Sequence, residues 1–352
     1  MPVAGARDQT VVKRRHTPTI VACLSLVGTA NLLAGPHIVR DSAKTFSVSL
    51  GSASPIGPAS IREHAIAWHP SRRRFYLIAD VIPLRHAHHP HTYDTELYLW
   101  RSGDLATWTL VGLAVLKGKR DVDFDGYGVA SPAGMAVWSG RLYVPFSARK
   151  TLRFTQRSIG LAWSGPDPEV IPWTKTPGPI SDLAGEDDDA AVVAVPGDDR
   201  LHLYHRTTGN GAGRGYRIVH TASPRPTDAS SWPRAKEVTV RPAGVRAQEL
   251  TGAICVDGRV HLFVIEQGTG VKGIQIAHLF SADPGGTFQQ ADPSQRYLLD
   301  QPDRLKDGGH FTPVVRSGRL IAAFWTVWQS GPRYGLTGHP VEFTHRRWPV
   351  PR

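Results

Sequence analysis

The chain has 352 residues, 41% of them apolar, with 35 glycines and 28 prolines scattered between short apolar runs; this punctuation favours many strands and turns and excludes a protein built on long helices. The net charge of +11 raises nucleic acid, a membrane surface or an anionic polysaccharide as partner. The basic residues form no stripe and match no recognition-helix, finger or RNP-type pattern, so nucleic acid is excluded as a partner and an acidic sugar stays open.

Cys23 and Cys255 are too few for a disulfide framework or a zinc cluster. Cys23 lies in "VVKRRHTPTIVACLSLVGTANLLAGP", where Lys13, Arg14 and Arg15 precede an uncharged run from Thr17 to Pro36 and small residues near Gly28 to Ala30 suit cleavage. Residues 1–36 therefore read as an export signal or N-terminal anchor. The expected location is secreted or periplasmic, with no stable membrane insertion after processing; the alternative is cytoplasmic.

From residue 37 onward the sequence predicts one domain. "KTFSVSLGS" reads as a lone edge strand. One pattern then recurs five times at a spacing of about sixty residues: a polar residue, an apolar strand, a tight turn and a second apolar strand. The copies are "EHAIAWHPSRRRFYLIAD", "SPAGMAVWSGRLYVPFSA", "DAAVVAVPGDDRLHLYHR", "ELTGAICVDGRVHLFVIE" and "HFTPVVRSGRLIAAFWT", opening at Glu63, Ser131, Asp189, Glu249 and His310. Between copies lies a second hairpin-like unit, as in "ELYLWRSGDLATWTLVG" and "SIGLAWSGPDPEVIPWTK". Four strands per period is the content of a propeller blade, so the fold class expected is all-β, a five-bladed β-propeller. A two-domain sandwich gives no reason for a fivefold repeat. The edge strand at "KTFSVSLGS" would close the ring.

In such a ring the inner strands start at one mouth, which gathers the five opening residues in a funnel. Second strands return to the same face and bring Asp80, Arg149, His205, Arg206 and Glu266 to its rim. The third copy opens on four consecutive acids, Glu186, Asp187, Asp188 and Asp189, and Asp187 and Asp188 compete with Asp189 for the inward position. Carboxylates crowded at an axis suit acid–base chemistry. Glycosidic cleavage needs one protonated carboxyl and one ionised one, separated by about 6.5–9.5 Å when a water attacks with inversion.

These motifs resemble the five-bladed propeller glycosidases of glycoside hydrolase family 43 and relatives such as family 117. "RSGDLATWTLVG" is similar to a family S-x-D-L-x-x-W turn, "DAAVVAVPGDDRLHLYH" to its D-P-x-x-F-x-D-D-G blade opening, and "ELTGAICVDGRVHLF" to its E-x-P opening. The resemblance implies Glu249 as general acid, Asp189 as the aspartate that tunes and orients it, and Glu63 as general base. Family members carry Asp at the base position, and their "DP" is "EH" here, which makes Asp80 and Asp188 reserves for that role. His310 matches a fifth-blade histidine near an axial water or calcium site.

The implied function is an inverting, exo-acting glycosidase on a pentose or rare hexose unit of a carbohydrate. Ser131, Asp80, Arg149, Asp188, His205, Arg206, Glu266 and His310 would contact substrate. Two alternatives share the motifs: a non-catalytic carbohydrate-binding propeller, and a glycoside phosphorylase holding phosphate at the basic rim. No cofactor is required by this chemistry and no catalytic metal is implied. "DVDFDGYG" from Asp121 offers the start of a structural calcium loop, although Pro132 stands where a bidentate Glu belongs. His86, His88, His89 and His91 read as a solvated lip on the funnel face. Trp138 reads as blade packing, and Trp68 as the tryptophan nearest the funnel.

Overall fold

A computed structural model describes residues 36–40, 42–51, 59–83, 95–151, 156–209, 216–241, 247–266, 274–291, 298–301, 309–328 and 335–343. The export-signal reading of the N-terminus and the histidines between 86 and 91 lie outside these residues. One compact unit spans Gly35–Arg352. Among the described residues the only helical element is a 3-10 turn, Ala229–Ser231, capped by Asp228.

The strands form five separate sheets in chain order, the five-bladed β-propeller expected from the repeat. Blade 1 is Ala59–His69, Arg74–Pro83, Glu96–Ser102 and Thr109–Val115. Blade 2 has an interrupted inner edge, Val129–Ala130 and Ala136–Trp138, followed by Arg141–Arg149, Arg157–Trp163 and Thr174–Lys175; Pro132–Gly134, between the two edge pieces, joins the sheet of blade 3. Blade 3 is Asp188–Ala194, Leu201–Thr207, Arg217–Ser223 and Lys236–Glu237. Blade 4 is built on Ala247–Val256, Arg259–Glu266, Ile274–Ser281 and Thr287–Gln290. Blade 5 comprises Gly309–Arg316, Arg319–Trp328 and Leu336–Glu342.

Blade 5 is completed from the other end of the chain. Phe46–Val48, inside the predicted edge strand, pairs antiparallel with Leu336–Gly338, and His37–Ile38 pairs with Val341–Glu342. Gly338 faces Phe46 in this register, and a Cβ there would collide with the Phe46 ring. The ring is thus closed by hydrogen bonds and by a buried Phe packed edge-on to Phe324, centroids 4.9 Å apart.

Turn chemistry explains the hairpins. Ser139-Gly140, Asp257-Gly258 and Ser317-Gly318 join first and second strands in blades 2, 4 and 5, and all six residues have φ between 48° and 75°. Two left-handed residues in a row make a turn whose twist matches that of the flanking strands, and Gly adopts it without a Cβ clash.

The core lies between blades. Tyr76 and Ile78 join a cluster with Leu142, Val144 and Phe146 of blade 2, while Leu77 and Ala79 join one with Val314 and Phe324 of blade 5. Three further clusters fill the interfaces of blades 2 and 3, 3 and 4, and 4 and 5. Because alternate side chains of a strand enter different interfaces, both sheet faces are buried, and the strands read as continuous apolar runs. Trp68 follows this logic and not the expected one. It ends the first strand of blade 1, packs on Phe75 and lies under the Arg316 guanidinium beside the inner turns, at the end opposite the mouth.

Candidate active site

Each of the three acids assigned catalytic roles sits at a β-bulge in an inner strand. In blade 1, Ile61 pairs with Val81 and His64 with Ala79, so Arg62 and Glu63 together oppose Asp80. In blade 3, Asp188 pairs with Arg206 and Ala191 with Tyr204, so Asp189 and Ala190 oppose His205. In blade 4 the register slips on both sides of Glu249. A bulge breaks the two-residue alternation and re-aims a side chain that regular pairing would send into a blade interface. Asp189 has φ 48° and Ser131, opening blade 2, has φ 54°. The Ser131 carbonyl accepts from Ala190 N, and Pro132–Gly134 pairs in parallel with blade 3, which ties the two inner strands together.

The acids share one electrostatic environment. Burial pushes the Asp189 carboxyl up, Glu249 and Glu63 push it further, and Arg206 and Arg157 pull the other way; the net result is well above the usual carboxylate range. The Asp189 carboxylate lies 2.5 Å from Arg206 Nε, yet its buried Oδ2 has no well-aligned hydrogen bond. Glu249 Oε2 is 3.7 Å from His310 Nε2; Glu249 keeps about a third of its side chain exposed, whereas His310 is buried.

Glu63 and Asp80 form a hydrogen-bonded pair with opposite tendencies. Burial raises Glu63, but the hydrogen bond with Asp80 and the fields of His310 and Arg62 outweigh it and hold Glu63 below its ordinary value. Asp80 is driven well above its ordinary value by burial and then by Glu63, against Arg62 and Arg149. Within the pair Asp80 is thus the group that holds a proton more tightly and Glu63 the one that gives it up more readily.

The four-acid run resolves residue by residue. Glu186 accepts from Arg206 Nη2 at 3.3 Å and from the Tyr216 hydroxyl at 3.3 Å. Asp187 accepts from Leu183 N and Thr207 Oγ1. Asp188 accepts from Ser147 Oγ, Arg157 Nη1 and, at 2.6 Å, Arg206 Nη2. Asp189 feels the fields of Glu249 and Glu63. Four acids tolerate one another because the first three are held by hydrogen-bond donors and the last lies against the Arg206 guanidinium.

Other expectations change. Asp188 is buried and taken up by donors from blades 2 and 3, so it is a structural anion and neither a reserve base nor a sugar contact. His205 is fully buried: Nε2 lies 2.9 Å from Ser181 Oγ and Nδ1 lies 3.0 Å from the Arg206 carbonyl, so both ring nitrogens face protein. Burial lowers its proton affinity. Arg149, Arg206 and Glu266 are buried at mouth ends of second strands. Arg149 acts electrostatically on both Asp80 and Arg157.

The proposed calcium loop is also corrected. Asp121 accepts from the Tyr127 hydroxyl, Asp123 from Lys119 N, and Asp125 pairs with Lys175. These carboxylates turn to separate partners, and among the described residues no group of three or more His, Cys, Asp or Glu is arranged to hold a metal.

Three contributors were not foreseen. Arg157 begins the third strand of blade 2 and pairs with Asp188 almost out of contact with water; burial, then Arg149 and Arg206, lower it to about 9, still charged at neutral pH. Third strands also start at the mouth, so position in the repeat was the available signal. Arg62 shares the Glu63 bulge. His64 stacks on His310 at 6.2 Å and meets Thr312 Oγ1 at 2.8 Å through Nε2; burial lowers it to about 3, so it is neutral.

The fold is that of known propeller enzymes. Over 84% of this chain and 90% of the other, it superposes on Zg3597, a family 117 glycoside hydrolase from the marine bacterium Zobellia galactanivorans, with TM-score 0.58 and 14% identity. A GH43_1 enzyme from Xanthomonas citri, solved with xylotriose, aligns over 85% of this chain and 90% of its own at TM-score 0.58 and 17% identity. A β-1,2-mannobiose phosphorylase from Listeria innocua aligns over 85% and 96% at TM-score 0.56 and 11% identity. No family model and no curated protein matches the sequence.

Proposed function

We propose that the protein is a glycoside hydrolase acting at the mouth of the ring. The observation that carries this reading is the convergence of three carboxyl groups from three blades: Glu63 lowered in proton affinity by its Asp80 hydrogen bond and the fields of His310 and Arg62, Asp189 raised well above the ordinary range by burial and by both other acids, and Glu249 partly open to solvent against His310. Glu249 gives its proton to the leaving oxygen as the bond from that oxygen to the anomeric carbon breaks. A water oxygen bonds to that carbon from the other side, and its proton passes to Glu63. Asp189 orients the acid, with Arg206 fixing Asp189. Attack by water from the opposite side makes the reaction inverting, and a pentose or rare hexose at a chain end is the unit proposed, on an exported protein that meets its glycan outside the cytoplasm. The fold neighbours, two hydrolases and a phosphorylase, support carbohydrate as ligand.

The test is a panel of chromogenic arabinosides, xylosides, galactosides and fucosides with wild type and Glu249→Gln, with and without inorganic phosphate. Turnover independent of phosphate that drops by about 100-fold or more in Glu249→Gln supports the hydrolase. Strict phosphate dependence assigns a phosphorylase, and glycan binding unaltered in both proteins without turnover assigns a carbohydrate-binding propeller.

A further inference from the structure

The exchange of the family's Asp for Glu63 comes with a second acid at the same place. Asp80 lies toward the mouth side of the second strand of blade 1, which runs on to Pro83, is 2% exposed, and stands opposite the two-residue bulge that carries Arg62 and Glu63. The bulge points Glu63 at Asp80, and the two side chains are hydrogen bonded. The other Asp80 oxygen, Oδ1, is buried and has no hydrogen-bond partner among the described residues. An ionised aspartate with one orphaned oxygen beside a second carboxylate is an unfavourable arrangement; a neutral carboxylic acid donating to that carboxylate is a stable one.

We propose that Asp80 is the positioning residue for Glu63: its carboxylic O–H donates to the Glu63 carboxylate and fixes the longer side chain where attacking water must lose its proton. A glutamate has one more rotatable bond than an aspartate, and a base that wanders by about 1 Å loses about 100-fold in rate. The Asp80 hydrogen bond removes that freedom. The charged and titratable groups facing the pair are Arg62 from the bulge, Arg149 from blade 2, Asp189 from blade 3 and His310 from blade 5. The directions of the Glu63 and Asp80 shifts agree with a single proton held on Asp80. As pH rises and Asp80 loses this proton, Glu63 gains a like charge in place of a donor, so activity falls on the alkaline side.

This inference rests on the hydrolase reading, so its test has an arm that needs no turnover. Asp80→Asn keeps a donor but cannot ionise; Asp80→Ala keeps neither. With a substrate from the panel, Asp80→Ala is expected to lose about 100-fold in kcat with little change in KM. Asp80→Asn is expected to stay within about threefold of wild type at the pH optimum while the alkaline limb moves, because only the proton loss of the general acid Glu249 then sets it. Equal kinetics for Asn and Ala, or an alkaline limb in Asp80→Asn that is unmoved from wild type, overturns the proposal. Independently, infrared difference spectra of wild type against Asp80→Asn are expected to show a protonated carboxylic carbonyl band at neutral pH that the variant lacks. That band without turnover of any glycoside defeats the hydrolase reading and leaves the hydrogen-bonded pair intact; its absence defeats the pair, whatever the activity.

Discussion

Asp188→Asn removes one negative charge from a wall in which Arg157, Arg206 and Asp188 have side chains 2%, 7% and 3% exposed. The wild-type carboxylate accepts from Ser147, Arg157 and Arg206. The Asn oxygen still accepts, but its amide NH2 points a donor at a guanidinium. Arg206 retains ion pairs with Glu186 and Asp189; Arg157 keeps the fields of the same two acids but loses its direct ion pair, so the cost falls mainly there. Removing one partner of a buried ion pair costs about 3–5 kcal/mol, because the remaining charge stays desolvated. We expect a loss of about 4 kcal/mol, which for a urea m-value of about 3 kcal/mol/M lowers the midpoint by about 1.3 M. Removing the Arg157 charge as well, in Asp188→Asn with Arg157→Gln, is expected to cost less than the two single losses added, with a coupling of about 1–3 kcal/mol. Urea unfolding followed by tryptophan fluorescence measures both. A single-variant loss below about 1 kcal/mol, or strict additivity in the double variant, refutes the argument that this pair is dry and mutually dependent.

Ring closure is tested by Phe46→Ala, which empties a site between Phe324 and Trp108; an unfolding free energy reduced by about 3–5 kcal/mol is expected. Gly134→Ala would set a Cβ 2.6 Å from the Ala191 Cβ where blades 2 and 3 pair in parallel, and thermal unfolding should report a loss of about 1–3 kcal/mol. Stability is expected to fall on acidification. His220 and His261 are lowered to about 4 and His64 to about 3, chiefly by burial, so the unfolded chain binds their protons first. Their contribution is complete above pH 6.5, the ordinary histidine value, and is lost progressively below it. Asp80 and Asp189, raised in the fold, act with the opposite sign above the ordinary aspartate value of 3.8. The test is therefore a difference: wild type minus His261→Gln should show a slope of up to one proton between about pH 4 and 6.5 in melting experiments.

The sequence alone carried the architecture because the repeat is local. Each hairpin states its own turn, as in Ser139-Gly140 and Asp257-Gly258, and each blade buries both faces, so strands such as "RFYLIAD" and "RVHLFVIE" announce themselves as apolar runs. The closing strand around Phe46 was legible as a short alternating strand, with Phe46 and Val48 buried and Ser47 exposed. What it lacked was direction at the mouth. Period-two alternation fails at a bulge, so nothing local told Asp189 from Asp188, or aimed Glu63 at Asp80. Those choices were made by partners from other blades: Arg157 and Ser147 hold Asp188 in the wall, Ser181 takes the His205 ring, and Lys175 draws Asp125 away from the calcium loop imagined for it. Strand identity is set by neighbours a few residues apart, whereas the protonation and aim of a buried acid depend on charges that only the closed ring brings close.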